Sequence, residues 1–149
     1  MAEVEVTAPA PPEKVYAVLA DGWTYSDWVV GTAHIRDVDP DWPAPGSRIH
    51  HKAGMWPLHL RDETVAVEHV PGSKLVLRPH LWPLGEATVT ITLSPAGDDR
   101  TRITIHEDFD QGPLRWARTK VNDLVLHYRN VESLHRLADL AAGRSNPGQ

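Results

Sequence analysis

Between residues 33 and 109 this chain runs through six stretches in which apolar and polar residues alternate, separated only by short turn clusters. Strict alternation is the pattern of a strand with one face covered and the other wet. The stretches are "AHIRDVD", "SRIHHKA", "LHLRDETVAVEHV", "KLVLRPHL", "EATVTITLS" and "TRITIHEDF". The clusters "DPDWPAPG", "VPGS" and "SPAGDD" carry the Gly and Pro that tight turns use. Such links are too short for crossover helices, so neighbouring strands must run antiparallel. The cleanest stretch puts Ala87, Val89, Ile91 and Leu93 on one face and Thr88, Thr90 and Thr92 on the other. In the longest one the apolar phase slips from Leu58 and Leu60 to Val65 and Val67, which predicts a β-bulge and a bent sheet.

What flanks these strands completes an α+β pattern. "EVEVT" at the start reads as one more strand, with Val4 and Val6 on one face. "APAPPEKVYAVLAD" offers prolines for a first helical turn, then Val15, Val18 and Leu19 at helical spacing, and Gly22 is expected to end that helix. "WTYSDWVVG" reads as a second short helix with Trp23 and Trp28 available for burial. From about Val121 to Ala142 no Gly or Pro interrupts, and Val121, Leu124, Val125, Tyr128 and Val131 form one stripe that Leu134, Ala138 and Ala141 continue with some drift. Strand, two short helices, six strands and one long helix fit together if the bent sheet grips the helix. One domain over 1–142 and a disordered tail over 143–149 are expected.

Charge and composition narrow the partners. Lys and Arg total 15 against 20 Asp and Glu, a formal net charge of -5, and the basic residues are scattered. Nucleic acid and anionic membrane are therefore not expected as main partners. With no cysteine there are no disulfides or thiolate metal sites. No basic n-region with an apolar run opens the chain and no stretch is long enough to span a bilayer, so a soluble cytoplasmic protein is expected.

The tripeptide WPL occurs twice, at Trp56–Leu58 and Trp82–Leu84. If "VPGS" is a tight turn, one copy begins a strand and the other ends its partner, which puts both at the same end of the sheet. Proline suits a strand end, and Trp suits a greasy rim that water can reach. The nine histidines lack metal-ligand spacing, so no metal is expected. Of His50 and His51, the phase of Ile49 and Ala53 turns His51 inward. Ile103 and Ile105 inward likewise carry Glu107 to the covered face, as an acid or base, unless it lies past the buried part and is solvated. Arg129 is a candidate for an acidic ligand group, while Glu132 and Arg136 form a solvated i,i+4 pair. Glycine loops for phosphates and a nucleophile elbow are missing.

The opening "APPEKVYAVLADGWTYSDWVVG", the strands "WPLGEATVTITL" and "TRITIHED" and the final "NVESLHRLADLA" together resemble the SRPBCC superfamily, which includes START-like, Bet v 1-like and polyketide cyclase/dehydrase proteins. The resemblance implies the helix-grip fold: a curved seven-stranded antiparallel sheet around a long C-terminal helix, with two short helices after the first strand. It also implies a cavity for a hydrophobic or amphipathic small molecule such as a lipid or polyketide, with no cofactor, in a monomer or homodimer. Trp28, Trp56 and Trp82 would rim that space, and Leu77, Val89, Ile91, Ile103 and Val125 would wall it. His51, Glu107 and Tyr128 would orient the ligand. The alternatives are a polyketide cyclase/dehydrase enzyme using His51 or Glu107 as acid or base, and a protein-interaction module of the stress or toxin–antitoxin kind.

Overall fold

The computed structural model describes residues 2–29, 32–53, 60–81, 85–111 and 120–143, with side chains over 3–29, 35–50, 63–79, 87–108 and 127–143. The alternating stretches become β2 (Thr32–Val38), β3 (Arg48–Ala53), β4 (Leu60–Val70), β5 (Lys74–Leu81), β6 (Gly85–Pro95) and β7 (Thr101–Gln111). The opening strand is β1 (Ala2–Ala8). Seven strands form one sheet in the order β1-β7-β6-β5-β4-β3-β2, and every neighbouring pair is antiparallel. From β2 onward each strand pairs with the next in sequence, so the sheet is a meander that β7 closes against β1.

Going from β1 at one edge to β2 at the other takes helix α1 (Pro12–Ala20), a 3-10 turn (Gly22–Thr24) and the short helix α2 (Tyr25–Trp28). Pro12 opens α1, where a missing N–H costs nothing, and Val15, Val18 and Leu19 are buried at its covered face. The helix stops at Ala20, two residues before Gly22. Asp21 then accepts from the Trp23 amide at 3.2 Å, and the Thr24 hydroxyl reaches the Val18 carbonyl at 2.9 Å. Gly22 serves instead for close approach: a Cβ there would lie 2.7 Å from Val38 Cγ1 and 3.2 Å from Ile49 Cγ1. Trp28 is buried as expected, but Trp23 points outward with 54% of its surface exposed.

The long helix α3 (Lys120–Gly143) packs against β1, α1 and α2. Leu134, Leu137, Ala138 and Ala141 are buried along its covered side, against the wall made by Val4, Leu75, Ile91 and Ile103 among others. Each valine, leucine or isoleucine among them contributes roughly 1.5–3 kcal/mol of burial, and each alanine less.

Two details of β4 and its turn set the sheet's shape. Val70, Pro71, Gly72 and Ser73 form a tight turn closed by the Ser73 amide on the Val70 carbonyl at 2.9 Å, with Gly72 at φ 79°. Proline followed by a residue of positive φ is the type II arrangement. The expected bulge is present, since Ala66 pairs with Leu77 and Glu68 with Val76, leaving Val67 extra. The inward residues are not the valines, however. Thr64 and Ala66 are fully buried while Val67 is 46% exposed, so the inward phase up to the bulge is that of Thr64 and Ala66.

Candidate functional site

β7 turns Thr101, Ile103 and Ile105 inward, and the next residue in that phase is Glu107, only 5% exposed. The solvated reading of Glu107 is thereby overturned. A carboxylate taken from water has to be paired, and its partner comes from α3. Arg129 Nη2 donates to Glu107 Oε1 at 2.8 Å and to Oε2 at 2.7 Å. The Glu107 side chain keeps 6% of its surface open and that of Arg129 keeps 32%, so the pair is sealed at one end and wet at the other. Arg129 therefore pairs with a carboxylate of the protein itself.

The same Nη2 donates to Asn130 Oδ1 at 3.2 Å. This contact fixes the amide's orientation, because the flipped form would set one donor against another. Asn130 Nδ2 then faces elsewhere on the covered side. It is buried and, among the described residues, has no hydrogen-bond acceptor. An orphaned buried donor costs about 1–3 kcal/mol. Sites that hold such a cost are places to look for a missing partner.

Tyr25 of α2 and Thr64 of β4 complete the polar group. Burial pushes the Tyr25 phenol above its ordinary range, against the lowering effect of its side-chain hydrogen bond with Thr64. Tyr25 is also close enough to feel the charges of Arg129 and Glu107. Its ring meets Trp28 edge to face, with centroids 5.5 Å apart and planes at 70°. So α2, β4, β7 and α3 each send one or more polar side chains to a shared region of an otherwise apolar interior.

Leu77, Val89, Ile91 and Ile103 lie buried on the inner sheet face and Trp28 is buried beside Tyr25. The side chains of His51 and Val125 lie outside the described residues, as do Trp56 and Trp82. The backbone of His51 pairs with Ile35 and Asp62, and the side chain of its neighbour His50 reaches Asp39, Nε2 donating to Oδ1 at 3.0 Å. β4 begins at Leu60, just after the first WPL, and β5 ends at Leu81, just before the second. The pairing of Glu63 with His80 brings those two chain ends to one end of the sheet.

Tyr128 requires a correction, for it is 66% exposed and does not join Glu107. At about 100° per residue it sits some 200° around the helix from the buried Asn130. Sequence reasoning missed Tyr25, Thr64 and Asn130. For Asn130 the signal was there, since a polar residue four before Leu134 interrupts the stripe that continues through Leu137, Ala138 and Ala141. Glu132 and Arg136 form the expected exposed pair at 3.0 Å. Among the described residues no cluster of three metal-ligating side chains occurs. No helix among them is long and apolar enough to cross a membrane.

The sequence model of the family described as polyketide cyclase / dehydrase and lipid transport matches residues 1–142. No curated protein matches the chain in sequence. Solved structures do match in fold. The Zhui aromatase/cyclase from Streptomyces sp. R1128 has a TM-score of 0.72 at 18% identity, with 97% of this chain and 94% of that one covered. Ara h 8.0201 has a TM-score of 0.69 at 14% identity, covering 95% and 96%. DynU16, a putative protein in the dynemicin biosynthetic locus, has a TM-score of 0.65 at 19% identity over 93% of this chain, which spans only 45% of that longer one.

Proposed function

This chain belongs to the polyketide cyclase / dehydrase and lipid transport family, within the SRPBCC superfamily, and from that premise we propose that it binds a hydrophobic or amphipathic small molecule between the inner sheet face and α3, in the cytoplasm. The observation that carries the reading is the polar group of Glu107, Arg129 and Asn130 set into an apolar wall. Apolar ligand surface buried at about 25 cal/mol per Å² would supply affinity, and the polar group would fix which end of the ligand goes in. Native mass spectrometry of freshly purified protein, followed by organic extraction, tests this. A stoichiometric apolar adduct supports the reading. A clean mass, together with failure to bind any of a panel of polyketide-like and lipid probes, would remove it.

The second reading is an enzyme of the polyketide cyclase/dehydrase type, which the likeness to the Zhui aromatase/cyclase supports. Tyr25 favours it in particular, because burial keeps its phenol protonated beside the Glu107 carboxylate. The phenol would donate a proton to a carbonyl oxygen while Glu107, released from Arg129, would accept one from carbon. Turnover of a poly-β-keto chain that survives both Tyr25→Phe and Glu107→Gln would end this assignment.

A further inference from the structure

We infer that the ligand enters with an uncharged oxygen acceptor, a ketone or ester carbonyl oxygen, that takes the orphaned Nδ2 of Asn130, and that carboxylate ligands of the same shape are rejected. The inference rests on the ligand-binding reading above and specifies its chemistry.

Arg129 has the only guanidinium in the polar group, and a single nitrogen of it already serves both oxygens of Glu107 and the Asn130 carbonyl. The pair is neutral as a unit, and its sealed end is the carboxylate, not the cation. A ligand anion seated at Asn130 Nδ2 would gain only a neutral donor, because the Arg129 nitrogen that reaches this amide is already engaged by Glu107. It would lose its water without a charge to replace it, which is the least favourable way to bury an ion. A neutral acceptor loses far less on entry and finds Asn130 Nδ2, whose two N–H bonds have no acceptor among the described residues. Asn130 lies on the buried side of α3 with Ser133, Leu134 and Leu137, so its free donor belongs to the interior and not to the solvent.

Three probes of one shape separate the possibilities: acetylnaphthalene as neutral acceptor, ethylnaphthalene as apolar match and naphthoate as anion, each titrated into the full chain at pH 7 by calorimetry. We expect the ketone to bind about tenfold more tightly than the ethyl compound, the size of effect that one satisfied buried donor gives. Naphthoate should bind no better than ethylnaphthalene. In Asn130→Leu, which keeps the branched outline but is larger and carries no donor, the ratio of ketone to ethyl affinity should fall to within about twofold of unity. Naphthoate binding as tightly as the ketone, or a ketone advantage that persists in Asn130→Leu, would overturn the inference while leaving ligand binding in place. Failure of all three probes and of longer ketones to bind would instead count against the binding reading itself. Should Asn130→Leu fold poorly, the ranking of the three probes on the unsubstituted protein still decides.

Discussion

Glu107 and Arg129 are both necessary to each other, yet they are not equivalent. Removing Arg129 by Arg129→Met leaves a carboxylate that is 94% enclosed with no cation beside it, whereas Glu107→Gln leaves a guanidinium that already has a third of its surface in water. Breaking a buried pair at its enclosed end costs about 3–5 kcal/mol, and the open side of Arg129 argues for the low end of that range. We expect Arg129→Met to lose about 3 kcal/mol in urea unfolding and Glu107→Gln roughly half as much. Equal losses would mean that water reaches both ends. Gly22 offers a second single-residue test, because its Cβ would press on Val38 and Ile49, two β-branched side chains with little freedom to move aside. Gly22→Ala should cost about 1–3 kcal/mol as overpacking. A midpoint unchanged from the parent would show that the 3-10 turn can shift away from the sheet.

At the level of elements, the period-two stretches made the strands legible, and the short turns made the antiparallel meander legible. What the pattern misplaced was the phase of β4, where Val65 and Val67 look more apolar than Thr64 and Ala66. Hydrophobicity alone was a poor guide there because small residues are what the crowded inner face admits, and because Thr64 is wanted as the partner of Tyr25. The polar group was half legible for a related reason. Strand phase reached Glu107, but a pair that joins β7 to α3 depends on how the helix is rotated about its axis, and the apolar stripe containing Tyr128 pointed to the wrong rotation. The corrected phase of β4 has a measurable consequence. Val67→Thr should leave stability within about 0.5 kcal/mol, as exposed sites do, while Ala66→Leu should cost about 1–3 kcal/mol by overpacking. The reverse ranking in denaturant midpoints would restore the valines to the interior.

For the molecule as a whole, one surface pair and one buried phenol make stability depend on pH at opposite ends of the scale. On the acid side, Asp39 is held below its ordinary 3.8 chiefly by its hydrogen bond to His50. Its contribution is present above that value and is lost as pH falls further. On the alkaline side the interior is at stake, because burial raises the Tyr25 phenol above 10.0. An unfolded chain releases that proton near its ordinary value while the folded one retains it. Tyr25 therefore supports the fold fully below pH 10 and progressively less as pH climbs toward its folded value. Tyr16, also raised by burial and 2.9 Å from His69 Nδ1, adds to the same limb. Tyr25→Phe removes its share of that alkaline loss, so stability measured from pH 9 to 11 should fall less steeply in the variant. Tyrosinate absorbance in the parent should rise in two parts, one gradual and one cooperative with unfolding. If the parent and Tyr25→Phe lost stability in parallel across that window, the phenol would have to be open to water in the folded state, and the enclosed polar group proposed to orient a ligand would lose its Tyr25 member.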